Sequence, residues 1–71
     1  MDPNVAHLAI TDLVKQIRRR LETVASVAKA GAACAEAGSP GRAVDIVIEL
    51  GDDLHEIGRL FEAALAISAE A

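Results

Sequence analysis

Apolar residues recur every three or four positions along almost the whole chain, in two stretches separated by a short segment of small and turn-forming residues. This spacing places them on one side of a helix and predicts two long amphipathic helices. Val44, Ile46 and Ile48 alternate locally as in a strand, but Val47 fills the gap and the helical spacing resumes. The pattern therefore predicts an all-α fold.

Start and stop signals bracket both stretches. Asp2 is followed by Pro3, and an acid at the N-cap with proline at the first helical position is a common opening of a helix. Gly38 suits the left-handed residue that ends a helix, and Ser39-Pro40 repeats the opening pair. We predict one domain over residues 1–71, with helix 1 at about 3–37, a turn at 38–41 and helix 2 at about 40–68. So short a turn makes the helices antiparallel neighbours.

The second helix carries a wider apolar surface than the first. In a seven-residue frame, helix 1 has one stripe: Ile10, Leu13, Ile17, Val24, Val27, Gly31 and Cys34, beside Val14, Leu21, Ala28 and Ala35. Helix 2 has a central line with apolar residues on both sides, which is enough surface for two neighbours. We expect helix 2 to contact helix 1 on one side and another subunit on the other.

A register for the hairpin divides these residues between the two contacts. If the turn centres on Ser39, facing residues have numbers that add to about 78 or 79. Packing within the hairpin is then predicted for Ile17, Leu21, Val24, Ala28, Gly51, Leu54, Gly58 and Phe61. The oligomer interface is predicted to contain Ile46, Leu50, Ile57, Leu60, Ala64 and Ile67. We expect Leu21 to pack over Gly58; the alternative is that Gly51 and Gly58 only weaken or kink the helix.

Composition points to self-association. The residues are 52% hydrophobic, with Phe61 as the single aromatic. A chain of this size buries only about 60% of its unfolded surface, so a lone hairpin has too little interior for so many apolar side chains. We expect a homodimer or higher assembly in which hairpins form a four-helix bundle.

Four basic residues, Lys15, Arg18, Arg19 and Arg20, fall within six positions of helix 1 and are candidates for nucleic-acid contact. The alternative is a solvated surface that complements helix 2. Residues 1–38 carry five basic and four acidic groups, net +1, and residues 39–71 carry two and seven, net −5. Because the halves are complementary and the chain is acidic overall at −4, we favour the second interpretation.

Chemical sites have weak support in the sequence. Asp52 and His55 have the carboxylate-x-x-His spacing of metal sites in helical bundles, but they lie on the outward side of helix 2, so they are only weak metal candidates. The single cysteine, Cys34, is expected to be a packed thiol, with an intermolecular disulfide or a reactive thiol as alternatives. We expect no cofactor and no enzymatic activity. The opening Met-Asp-Pro-Asn has no signal-peptide character and no apolar run reaches the length of a membrane span, so we expect a cytoplasmic protein.

The architecture resembles that of the Rop-type plasmid copy-control hairpins, which dimerise into antiparallel four-helix bundles. Residues of helix 2 carry the resemblance: Asp45, Ile46, Leu50, Asp52 and Glu56. The hairpin is longer here, and helix 1 lacks an aromatic that would support RNA contact. The resemblance implies a fold and does not carry a function.

The expected function is that of a small non-enzymatic interaction or regulatory module. It would act by homo-oligomerisation and by contacts with another protein, for which the acidic surface of helix 2 is the candidate. A nucleic-acid-binding regulator that uses the basic cluster is one alternative. A metal- or ligand-binding bundle is the other.

Overall fold

Two long antiparallel helices make up the protein. A computed structural model describes residues 2–70 and contains α1 at Pro3–Glu36 and α2 at Pro40–Glu70, with no strand in this part of the chain. The helices pack against each other along their length as a hairpin. The predicted all-α hairpin is confirmed, and the helices end within two residues of the predicted positions.

The first helix begins where its sequence directs. The Asp2 carboxylate Oδ1 accepts a hydrogen bond from the Asn4 backbone N–H at 2.8 Å, and Pro3 occupies the next position, where no donor is needed. The Ala6 N–H donates to the Asp2 carbonyl at 2.9 Å, which closes the first turn. The cap satisfies amides that have no partner within the helix.

The turn is a Schellman motif built on one glycine. Gly38 has φ +82°, in the left-handed region that favours a residue without a Cβ. The Ser39 N–H donates to the Cys34 carbonyl at 2.9 Å, and the Gly38 N–H donates to the Ala35 carbonyl at 3.1 Å. This pair of bonds defines the motif and satisfies the last carbonyls of α1. Pro40 starts α2 at once, so the chain reverses over three residues.

The helices meet along a seam of residues spaced alternately three and four apart, as in a coiled coil. On α1 the seam contains Ala6, Ile10, Leu13, Ile17, Arg20, Val24, Val27, Gly31 and Cys34. On α2 it contains Ala43, Ile46, Leu50, Asp53, Ile57, Leu60, Ala64 and Ile67. All of these except Arg20 are buried or half-buried, whereas Val14, Leu21, Ala28 and Ala35, which the sequence placed beside the stripe of helix 1, are exposed.

The environment of Gly31 shows how α2 is positioned along the length of α1. A Cβ placed on Gly31 would lie 3.0 Å from Ile46 Cγ2, closer than carbon atoms pack without strain. Gly31 and Ile46 therefore face each other across the seam, and their numbers add to 77. Seam residues on the two helices that share this total, such as Ile17 and Leu60, lie at the same level. The register differs by one or two residues from the expected 78 or 79.

The structure corrects the predicted division of helix 2. The residues assigned to an oligomer interface (Ile46, Leu50, Ile57, Leu60, Ala64 and Ile67) lie in the seam within the hairpin. Leu54 and Phe61, assigned to the hairpin interior, are 53% and 56% exposed, and a Cβ on Gly51 or Gly58 would meet nothing within 4 Å. Leu21 and Ala28 are also exposed, whereas Ile17 and Val24 lie in the seam as expected. The physical reason is the rotation of α2 about its axis: Ile46 packs against Gly31, which turns the line through Leu50 and Ile57 toward α1.

The hairpin is one layer thick, with principal extents of 54 × 15 × 10 Å. Only Ala6 and Gly31 are fully buried among residues 2–70, because two helices side by side enclose little space. Neither α1 nor α2 has, within those residues, a segment long and apolar enough to cross a membrane.

Candidate functional site

One broad side of the hairpin is apolar. We define the apolar flank as the residues that directly follow seam residues along each helix. The two helix axes of an antiparallel pair lie in one plane, and a two-fold axis perpendicular to that plane relates the helices. Rotation about this axis keeps each broad side of the pair in place. The residues that follow seam residues therefore lie on the same broad side in α1 and in α2. The flank contains Val14, Leu21, Ala25, Ala28, Ala32 and Ala35 on α1 and Val44, Val47, Gly51, Leu54, Gly58, Phe61 and Leu65 on α2, together with the polar residues His7, Thr11, Arg18 and Ser68.

The large apolar side chains of this flank are about half exposed. Phe61 is 56% and Leu21 is 47% exposed, although such side chains gain most from being covered. A shallow depression on the α1 half is lined mainly by Val14, Leu21 and carbon atoms of neighbouring side chains. Arg18 is the only charged residue of the flank. The flank is therefore an exposed apolar surface with a single charge.

The opposite side of the hairpin is polar. The polar flank consists of the residues that directly precede seam residues. It includes Asp12, Gln16, Arg19, Thr23, Ser26, Arg42, Asp45, Glu49, Asp52, Glu56 and Arg59, and its apolar members are Val5 and five alanines, Ala9, Ala30, Ala33, Ala63 and Ala66. Hydrogen bonds and ion pairs lie within it: Gln16 Nε2 donates to Asp12 Oδ2 at 2.8 Å, and Arg59 lies 3.8 Å from Glu56. The two flanks therefore differ in polarity.

The exposed area of the chain supports this contrast. A compact monomer of 7.4 kDa exposes about 4,200 Å². The hairpin exposes 5159 Å², which exceeds that value by about 950 Å². A standard protein interface buries about 800 Å² on each partner. Covering one flank would therefore bring the chain to the surface area of an ordinary globular protein.

The basic cluster is divided by the helix. Lys15, Arg18 and Arg19 line one shallow polar depression with Glu22, whose carboxylate lies 3.3 Å from Arg18 Nε. Arg20 turns the other way, into the seam, where its Nη2 lies 4.0 Å from Glu56 Oε1. Both ion pairs are solvent-exposed and contribute at most about 1 kcal/mol each. The four charges thus do not form one continuous cationic surface.

The weak metal candidates are exposed and apart from other ligands. Asp52 lies on the polar flank and His55 on the outer edge of α2. No three His, Cys, Asp or Glu residues come together as a metal site in the part of the chain that the structure describes. Cys34 is a free, half-buried thiol in the seam beside the turn, in the packed position that its spacing predicted.

Comparison of this chain with protein-family models, with curated protein sequences and with solved structures found no match. Sequence reasoning missed the apolar flank as a unit because it assigned half of these residues to the hairpin interior. The apolar spacing carries no signal that separates the two lines of α2, because the line through Leu54 and Phe61 is apolar throughout and the seam line contains Asp53.

Proposed function

We propose that the protein is a non-enzymatic interaction module whose hairpin associates with a second copy through the apolar flank. The two copies form a four-helix bundle, and the polar flanks become its exterior. The observation that carries this proposal is the exposure of Leu21, Leu54 and Phe61 on one side of a hairpin whose other side is charged. The excess exposed area of about 950 Å² is close to the area of about 800 Å² that each partner buries in a standard interface, which supports a stable dimer.

The exterior of such a bundle offers a second contact surface. Asp45, Glu49, Asp52 and Glu56 give the polar flank of α2 a negative charge, which suits a basic region of another protein. Self-association places two copies of this surface on one particle, so that a partner with two basic segments would bind more tightly than one with a single segment.

Sedimentation equilibrium tests the self-association. We expect the wild-type chain at micromolar concentration to show about twice its 7.4 kDa mass, with strong helical circular dichroism. The double variant Leu54→Glu/Phe61→Glu should shift to the single-chain mass or lose helicity, because it buries two carboxylates without partners. Val5→Glu is the matched control: Val5 is 54% exposed but lies on the polar flank. It should remain dimeric, and a folded wild-type chain with the mass of one copy would refute the proposal.

A further inference from the structure

The direction in which two hairpins meet can be read from the charges on their outer edges. We infer that the second copy packs with its α2 against the first copy's α1, so that both turns lie at the same end of the bundle. This inference rests on the self-association proposed above and adds to it the orientation of the partner and the residues that select it.

Two symmetric arrangements can cover one flank with another. If the two-fold axis runs along the hairpins, α1 lies over the partner's α2 and the turns share one end. If the axis runs across the hairpins, α1 lies over the partner's α1, α2 lies over the partner's α2, and the turns lie at opposite ends. A closed dimer uses the same surface on both copies in either case.

The hairpin register fixes which residues meet in the same-end arrangement. Rotation about an axis along the hairpin does not change the height of a residue along that axis. Residues whose numbers add to about 77 are therefore at the same height in the two copies, as they are within one hairpin. On the outer edges, next to the apolar flank, Lys15 then lies beside the partner's Glu62. Glu22 lies beside the partner's His55. Lys29 and Glu36 lie beside the uncharged Ile48 and Gly41 of the partner, so no like charges meet on these edges, and each pair occurs twice.

The opposite-end arrangement brings like charges together. When the crossing axis passes near the midpoint of both helices, at the level of Glu22 and His55, Lys15 lies beside the partner's Lys29. Glu22 lies beside the partner's Glu22. The acidic residues 39–71, at net −5, also lie over the same residues of the partner. In the same-end arrangement they lie instead over the partner's residues 1–38, at net +1. Opposite potentials across an interface select partner orientation, and like charges placed opposite each other oppose it.

Side-chain volumes agree with the same-end arrangement. In it, Leu21 lies at a level between the partner's Leu54 and Gly58, and Ala28 lies at a level between the partner's Val47 and Gly51, so a glycine is next to each. Within one hairpin a Cβ on either glycine would meet nothing within 4 Å, so space is free for a second copy.

Distances between spin labels distinguish the arrangements. Glu36→Cys is labelled in a Cys34→Ala background, and sedimentation first establishes the mass of the labelled protein. Glu36 is exposed and lies at the turn end of α1. The same-end arrangement separates the two labels only by the width of the bundle, under about 30 Å. The opposite-end arrangement separates them by about 42 Å along the bundle, from 1.5 Å per residue over twice fourteen residues.

The outcomes separate this inference from the proposal beneath it. A dimer with short label distances supports both, and a dimer with distances near 42 Å overturns the orientation alone. A folded single-chain species refutes the self-association and the orientation with it. Labels at Ala69→Cys, at the other end of the hairpin, should give the same result and exclude a local effect at the turn.

A charge exchange provides a second test in the unlabelled protein. Lys15→Glu should weaken dimerisation about three- to thirtyfold, because two edge pairs change from attractive to repulsive. Adding Glu62→Lys should restore the wild-type dissociation constant. The matched control, Lys15→Glu with Asp52→Lys, has the same net charge but changes a residue on the polar flank. This control variant should not restore the wild-type dissociation constant. Equal recovery by both double variants would contradict the inferred pairing.

Discussion

The contact between Gly31 and Ile46 provides a sharp test of how the two helices are set against each other. A Cβ on Gly31 would lie 3.0 Å from Ile46 Cγ2, so the larger side chain of Gly31→Leu must displace Ile46 or separate the helices. Ile46→Ala removes the opposing atoms. The double variant Gly31→Leu/Ile46→Ala exchanges the small and the large residue across the seam. It should therefore pack without the strain expected for Gly31→Leu alone.

Three effects set the expected magnitudes. Leucine favours the helix over glycine by about 0.8 kcal/mol, while overpacking a filled site costs about 1–3 kcal/mol, so Gly31→Leu should lose about 1–2 kcal/mol. Ile46 is half-buried, and its truncation to alanine should cost about 1–2 kcal/mol, below the range for fully buried isoleucines. The double variant should lose less than about 1 kcal/mol, which implies a favourable coupling of about 1–3 kcal/mol.

Chemical denaturation followed by circular dichroism measures this cycle, with every variant at the same chain concentration because association affects apparent stability. The control cycle combines Ile46→Ala with Gly41→Leu. A Cβ on Gly41 would meet nothing within 4 Å, so these two changes should add. If Gly31→Leu and Ile46→Ala were also additive within about 0.5 kcal/mol, the two residues would not be in contact and the register would be refuted.

Three further predictions concern the cap, the turn and the seam. Asp2→Ala removes the acceptor for the Asn4 N–H and should lower stability by about 1 kcal/mol, whereas Asp2→Asn should retain most of it; a thermal midpoint unchanged by Asp2→Ala would contradict the cap. Gly38→Ala should cost about 1–2 kcal/mol because φ +82° is strained for a residue with a Cβ, and Gly38→Asn should cost less in the same thermal assay. Arg20→Leu should raise the free energy of unfolding by about 1 kcal/mol, since the 4.0 Å pair with Glu56 is half-exposed and contributes little, while leucine completes the seam; a loss above 1 kcal/mol would show that the ion pair dominates.

Local signals were enough to predict the secondary structure. Asp2-Pro3, Gly38 and Ser39-Pro40 act through hydrogen bonds and backbone angles within a few residues, and the helices begin and end close to where these signals place them. The stripe on α1 was also predictable, because only one side of that helix is rich in large apolar residues.

The rotation of α2 was not predictable from periodicity alone. Its two apolar sides have similar widths, and the line through Leu50 and Ile57 competes with the line through Leu54 and Phe61. Periodicity gives the direction of an apolar surface on a helix but not which neighbour covers it. The choice depends on the fit between helices, in which Ile46 enters the space left by Gly31, and this is a tertiary property.

The tight reversal at Gly38 also governs the electric field of the molecule. Since α1 and α2 run in opposite directions and are nearly equal in length, their peptide dipoles almost cancel along the long axis. The remaining moment comes from side chains and points across the hairpin, from the acidic second helix toward the first. In a dimer with both turns at one end, the transverse moments of the two hairpins would point in opposite directions and cancel. In a dimer with turns at opposite ends, the two moments would point in the same direction and add. Transient electric birefringence would therefore detect a weakly polar particle in the first case and a strongly orienting one in the second.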